Sequence, residues 1–145
     1  MAQLKILLAD DHEVVRKGLR AFLESHAGWK VVDEASDGRE AVEKARQLRP
    51  EVVVLDITLP QLTGLEAARK ILAESPGMRL VFFTMHNSEQ MVYEALNTGA
   101  QGYVLKSDSS SDLVSAIEAT SRRQVYLSPK LAPLMSADFL KGGPR

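Results

Sequence analysis

The chain has 145 residues, 45% of them hydrophobic and 26% charged, and a net charge of −1. That length supports one domain with a real core, and so small a net charge gives no bulk attraction to nucleic acid or to an anionic membrane. Lack of cysteine excludes disulfides and thiolate metal sites, no apolar run approaches the ~18 residues that span a bilayer, and the apolar stretch in MAQLKILLAD is too short for a signal peptide, so a cytoplasmic protein without membrane partners is expected.

In chain order, 4-LKILLA-9 is the first buried strand, and it stops on two adjacent acids, Asp10 and Asp11. Residues 12–25 place Val15, Leu19, Phe22 and Leu23 on one helical face. A weaker strand, 29-WKVVDEA-35, precedes a helix over 38–48 whose inner face is Ala41, Val42, Ala45 and Leu48. The run 52-VVVLD-56 is nearly continuous and ends on Asp56; a helix follows over 64–74 with Leu65, Ala68, Ile71 and Leu72 inward. The run 80-LVFFT-84 ends on Thr84, ahead of a helix over 88–98 with Met91, Val92, Ala95 and Leu96. Last come 102-GYVLK-106, ending on Lys106, and a helix over 110–122 with Leu113, Val114 and Ile117.

Short, unbroken runs rich in Val, Ile, Leu and aromatics are how strands buried on both faces read. Helix starts are marked by a capping box, Thr63 with Glu66, and by the analogous pairs Asp37–Glu40 and Asn87–Gln90. Gly28, Gly77 and Gly99 stand after helix ends, where a left-handed residue is often wanted. The order is β-α five times, which predicts an α/β fold: a doubly wound five-stranded parallel sheet with helices on both faces. Residues 124–145 hold three of the six prolines and break the rhythm. They read as a linker or tail after a domain over 1–123, with room for a short helix over 129–140.

In such a sheet ligands bind outside the carboxyl ends of the strands. The strand-ending residues therefore form the candidate site: Asp10, Asp11, Asp56, Thr84 and Lys106. Three carboxylates at one edge repel each other, and a divalent cation relieves that. An all-oxygen set suits Mg²⁺, with Mn²⁺ as the alternative. A carboxylate beside such a cation can also accept a phosphoryl group, with Lys106 sharing the developing charge and the Thr84 hydroxyl donating to a phosphoryl oxygen.

These residues resemble the receiver domain of bacterial two-component response regulators over roughly residues 3–122. The likeness rests on Asp10-Asp11, on 52-VVVLDITLPQLTG-64, on Thr84 and on 99-GAQGYVLK-106, each weak alone and specific in this order. It implies a flavodoxin- or CheY-like sheet of order 2-1-3-4-5. It implies Asp56 as phospho-acceptor, and Mg²⁺ held by Asp11, Asp56 and the Thr58 backbone carbonyl, with Asp10 assisting through metal-bound water. Lys106 would pair with the phosphoryl group, Thr84 would move toward it, and Tyr103 would change rotamer. That alters the surface made by the fourth helix, fifth strand and fifth helix. The donor would be a histidine kinase.

The segments 9-ADDHEVVRKGLRAFLE-24 and 81-VFFTMHNSEQMVYEALNTGAQGYVLK-106 are similar to the NarL/FixJ subfamily, also called LuxR-type. That likeness implies a transcription regulator that dimerises on phosphorylation and binds DNA only through a C-terminal helix-turn-helix domain. The roughly 60 residues such a module needs do not follow 126-YLSPKLA-132 here. Either the chain is a receiver fragment, the favoured reading, or it is a single-domain regulator.

Two positions depart from the family pattern. Ser107 follows Lys106 where the family often has proline after a cis bond. A cis Lys-Ser bond costs ~3 kcal/mol, which leaves a trans bond or stored strain as alternatives. Met85 stands where a small residue is usual and is expected to shield the site in part or slow donor access. His86, next along, stands where the family tunes dephosphorylation.

Taken singly, each residue has a plainer reading. Asp10 with Glu13 resembles a helix cap, Asp56 a turn acid, Thr84 a strand-end β-branched residue, Lys106 a surface lysine and Tyr103 a packing aromatic. His12, His26 and His86 read as surface residues. Other functions fit less well. A phosphohydrolase of the haloacid-dehalogenase type wants a second Asp where Thr58 stands. A dinucleotide or flavin module wants a glycine- or threonine-rich loop where Asp-Asp-His stands. A pseudo-receiver would lack one of the key residues.

Overall fold

A computed structural model describes residues 3–131 and Pro133. Five strand–helix units follow one another: β1 (Leu4–Ala9), α1 (Glu13–Glu24), β2 (Trp29–Ala35), α2 (Gly38–Leu48), β3 (Val52–Leu55), α3 (Gly64–Glu74), β4 (Arg79–Thr84), α4 (Glu89–Asn97), β5 (Gly102–Leu105) and α5 (Ser110–Ser121). The sheet runs β2-β1-β3-β4-β5, every pairing is parallel, and a short strand, β6 (Tyr126–Leu127), is added beside β5. The α/β class and the 2-1-3-4-5 order are as expected; the sixth strand is an addition.

Alternation along each strand builds two cores. Leu7, Ala9, Val53, Leu55, Leu80, Phe82 and Tyr103 face one side and pack with Ala41, Ala45, Ala67, Ala68, Ile71, Val92 and Ala95 from α2, α3 and α4. Ile6, Leu8, Val52, Val54, Val81 and Val104 face the other and pack with Leu23, Leu113, Ala116 and Ile117 from α1 and α5. Both faces of the central strands are thus dry, which is why 52-VVVL-55 carries no polar residue. Each fully buried Val, Leu or Ile contributes roughly 1.5–3 kcal/mol.

The chain leaves β1 for β2 on one side and returns to β3 on the other. The carboxyl ends of β1 and β3 therefore border the crevice at the switch point. The loop after β3 is brought close by Gly64, where a Cβ would overlap the Asp56 carbonyl.

Some helix starts use the caps that the sequence predicts and others do not. Thr63 and Glu66 form the expected capping box, and Asp37 accepts from the Glu40 N–H at 2.7 Å. The cap of α4 is Ser88, whose hydroxyl accepts from the Met91 N–H, rather than Asn87. Both residue types cap well, so packing of Val92, Ala95 and Leu96 sets the start. Asp10 does not cap α1: His12 holds that place, and Asp10 Oδ1 accepts from the His12 N–H at 2.8 Å. Gly28 and Gly99 have positive φ, at 84° and 102°, but Gly77 does not. Pro76 already stops the helix before it, so a left-handed residue is not needed there. Pro129–Leu131 form a turn, and the rest of the segment read as a short helix over 129–140, Pro133 apart, lies outside the described residues. Among the described residues no helix is long and apolar enough to cross a membrane.

Candidate functional site

The strand ends deliver their acids by main-chain hydrogen bonds that prolong the sheet. The Asp10 N–H donates to the Ala35 carbonyl at 3.0 Å, and the Asp56 N–H donates to the Ala9 carbonyl at 3.1 Å. Both acids end up buried, at 4% and 6% exposure. Such groups need partners, because an unpaired buried charge is costly. Lys106 supplies one: its Nζ lies 2.7 Å from Asp10 Oδ2 and 2.8 Å from Asp56 Oδ2. Burial pulls the Lys106 pKa down, but the hydrogen bonds and charges of Asp10 and Asp56 outweigh that and hold it above the ordinary lysine value.

Asp56 Oδ1 accepts from the Thr58 N–H at 3.3 Å. Asp11 is more open, with 35% of its side chain exposed. The His12 ring bridges the acidic pair, its Nδ1 3.2 Å from Asp10 Oδ1 and 3.1 Å from Asp11 Oδ1. One donor atom from each of Asp10, Asp11 and His12 lies within 4.8 Å of the others. Two buried carboxylates thus share one ammonium, and Asp11 sits beside the His12 ring, so the three acids carry two more negative charges than Lys106 offsets. That imbalance and the oxygen-rich donor set fit Mg²⁺, which takes one or two carboxylates and keeps several waters. Asp10, Asp11, Asp56 and the Thr58 carbonyl are the residues that would hold it.

The expected switch residues lie on the same side of the sheet. Thr84 is fully buried, and its hydroxyl accepts from the His86 N–H at 3.4 Å. Tyr103 is fully buried and donates its hydroxyl to the His86 carbonyl at 2.8 Å. Burial pushes the Tyr103 phenol well above its usual pKa, and the Asp56 charge adds to that. His86 Nε2 hydrogen-bonds the Thr58 hydroxyl at 2.7 Å. The Lys106 N–H donates to the Thr84 carbonyl at 2.8 Å, and the Lys106–Ser107 bond is trans. Met85 stands 68% exposed beside these groups.

Three participants were missed by pattern reading. Arg16 donates from Nη1 to the Asp10 carbonyl at 2.6 Å, and Glu34 accepts from Arg16 Nε at 2.9 Å. Gly64 lets the loop carrying Thr58 fold against Asp56. Arginine on an amphipathic helix and an acid in a weak strand look like solvated charges, so nothing in the sequence marked Arg16 or Glu34. Only the quoted segment ending in Gly64 pointed to the third.

A doubly wound sheet with buried acids and a lysine at the switch point is an α/β domain that carries its candidate site at the carboxyl ends of its strands. Residues 6–118 match the response regulator receiver domain model. The chain is 36% identical over 138 residues to the oxygen regulatory protein NreC of Staphylococcus carnosus, covering 94% of this chain and 64% of that protein. It is 37% identical over 129 residues to the response regulator GacA of Pseudomonas syringae, covering 89% and 60%. A crystal structure of a LuxR-family two-component response regulator from Aurantimonas superposes with a TM-score of 0.88 at 40% identity, covering 91% of this chain and 94% of that one. This chain belongs to the response regulator receiver family, in its NarL/FixJ branch. It spans less than two thirds of the length of the two curated relatives.

Proposed function

We infer that the chain is a phosphorylation-switched signalling module in which Asp56 accepts a phosphoryl group from the phosphohistidine of a histidine kinase. The observation that carries this is the Lys106 ammonium seated between two buried carboxylates, 2.7 Å from Asp10 and 2.8 Å from Asp56. A lysine so placed can pass from a carboxylate to an incoming phosphoryl oxygen without leaving the site. An Asp56 carboxylate oxygen forms the bond to phosphorus while the phosphorus–nitrogen bond of the donor breaks, and the electron pair returns to the imidazole. Asp10, Asp11, Asp56 and the Thr58 carbonyl would hold the cation. Such a cation, Mg²⁺ or Mn²⁺, would supply positive charge against that building up on the transferring group.

Thr84 then turns its hydroxyl toward the phosphoryl group and Tyr103 changes rotamer, which alters the surface of α4, β5 and α5. Met85 and His86 border the approach to Asp56 and set access and lifetime. The module turns over no external substrate; it catalyses only its own phosphorylation and dephosphorylation. We further propose that residues 1–123 work as the receiver, that 124–145 lead toward a DNA-binding output module as in a longer cytoplasmic transcription regulator, and that phosphorylation drives homodimer formation. The greater length of the two curated relatives supports the part of this reading that places more chain after the receiver.

Incubation with Mg²⁺ and acetyl phosphate is expected to add one phosphoryl group per chain at Asp56, and beryllofluoride to bind there with the same stoichiometry. No response from the wild-type protein, or an unchanged response in Asp56→Asn, overturns the assignment. Sedimentation with and without beryllofluoride tests dimer formation.

A further inference from the structure

The geometry points to Arg16 as a positioning residue for the Asp10–Asp11 cation site, with Glu34 holding Arg16 in place; this rests on the function read above.

Every polar group of Asp10 is engaged. Its N–H is tied to the Ala35 carbonyl on β2, its Oδ1 to the His12 N–H and its Oδ2 to Lys106. The remaining group is its carbonyl, the acceptor in the Asp10–Asp11 peptide, and Arg16 Nη1 reaches it at 2.6 Å. Arg16 is itself constrained. Its Nε donates to Glu34 Oε1 at 2.9 Å, and both side chains are largely buried, at 13% and 15% exposure.

Glu34 is held from three directions. Arg20 Nη1 donates to its other carboxylate oxygen at 3.0 Å and Arg20 Nη2 to the Val31 carbonyl at 3.2 Å. Lys44 Nζ donates to the Glu34 carbonyl at 2.5 Å. Burial raises the Glu34 pKa, but hydrogen bonds from Arg20 and Arg16 and their charges outweigh it, so the carboxyl ionises below the usual range.

A chain of contacts therefore runs from β2 through Glu34 and Arg16 to the peptide that joins the two acids. A guanidinium suits this because it presents Nε and Nη1 in a fixed fork and serves two acceptors at once. A lysine can serve one. The rotation of the Asp10–Asp11 peptide decides where the Asp11 carboxylate points, and Asp11 is the most open of the three acids. Arg16 touches neither phosphoryl group nor cation in this scheme. It acts through the peptide, as partners of metal ligands commonly do.

The test uses the full chain as wild type, Arg16→Gln, Arg16→Lys and Glu34→Gln. Mg²⁺ affinity is measured by calorimetry without phosphodonor, and the Mg²⁺ dependence of acetyl phosphate labelling is measured beside it. Arg16→Gln is expected to weaken Mg²⁺ binding about tenfold while the labelling rate at saturating Mg²⁺ stays near wild type. Arg16→Lys recovers part of the affinity, and Glu34→Gln falls between. A folded Arg16→Gln that binds Mg²⁺ like wild type overturns the proposal, as does a labelling loss that saturating Mg²⁺ does not repair. If Arg16→Gln fails to fold, wild-type Mg²⁺ affinity in both Arg16→Lys and Glu34→Gln overturns it. Wild-type protein that neither binds Mg²⁺ nor labels at Asp56 defeats the functional reading, and this one with it. Wild type that does both, beside unchanged variants, defeats the positioning role alone.

Discussion

The Thr58 hydroxyl and His86 Nε2 lie 2.7 Å apart and tie the loop after β3 to the loop after β4. The same histidine accepts from the Tyr103 hydroxyl through its carbonyl and donates its N–H to Thr84 Oγ1. One residue thus links the neighbour of the phospho-acceptor to both proposed switch residues. Thr58→Ala, His86→Ala and the double variant form a cycle by urea denaturation. The expected coupling is about 0.5–1 kcal/mol, the low end for a hydrogen bond at an exposed site. Additive losses would show that the contact carries no energy.

Lys106 Nζ lies between two buried carboxylates, 2.7 Å from Asp10 and 2.8 Å from Asp56. Lys106→Met is expected to destabilise the metal-free protein by about 3–5 kcal/mol, the usual cost of orphaning a buried charge. Adding Asp56→Asn should return part of that loss, because one of the two charges is gone. Denaturation midpoints of the single and double variants decide it, and a double variant no more stable than Lys106→Met contradicts the assignment.

Gly64 leaves no room for a side chain, since a Cβ there meets the Asp56 carbonyl and the Ile57 backbone. Both obstacles are main chain and cannot swing aside. Gly64→Ala is expected to cost about 1–3 kcal/mol through overpacking and to slow labelling at Asp56 by displacing the loop. By contrast, Gly77→Ala meets nothing within 4 Å, and stability close to wild type is expected.

The described residues after α5, up to Leu131, are anchored, although 124–145 reads as a tail in the sequence. Leu131 is buried in the core cluster shared with α2, α3 and α4, and the Ser128 hydroxyl donates to Asp108 at 2.5 Å. Leu131→Ala is expected to lower stability by about 2–5 kcal/mol, the range for a buried leucine. A loss below the scatter of surface substitutions would place the segment off the core in solution.

Tyr126 on β6 donates to Asp112 Oδ1 at 3.2 Å. Burial first, then the Asp112 charge and hydrogen bond, push its phenol from 10.0 to about 12. Raised in the folded state, this group gives stability that is complete below pH 10 and is lost as pH climbs through about 12. Urea midpoints of wild type should fall more steeply over that window than those of Tyr126→Phe. Parallel curves would mean that the phenol feels the same surroundings folded and unfolded.

The sheet was legible because its strands are dry on both faces, and continuous runs such as 52-VVVL-55 say so directly. The acids, Thr84 and Lys106 were legible because the fold gathers strand ends, so order along the chain became proximity. What stayed hidden depends on side-chain reach. Arg16 bonds a carbonyl six residues back and an acid eighteen residues on, and no local pattern encodes either. The His12 ring lies across Asp10 and Asp11 while remaining exposed, so its surface reading held without revealing its position. Two adjacent capping residues, Asn87 and Ser88, are equivalent until tertiary packing chooses between them. β6 has two residues, too few for any periodicity.

Those two residues have a consequence for how copies of the chain meet. A sheet edge that is long, flat and apolar invites a strand from another molecule. Beyond β5 the described edge is only Tyr126 and Leu127, with Pro129 close behind. At the opposite edge β2 carries Lys30, Asp33 and Glu34, and its pairing with β1 shifts register between Ile6 and Leu7. Among the described residues one margin is short and the other charged and irregular, so neither edge offers the long, flat, apolar strand that templates a ribbon between molecules.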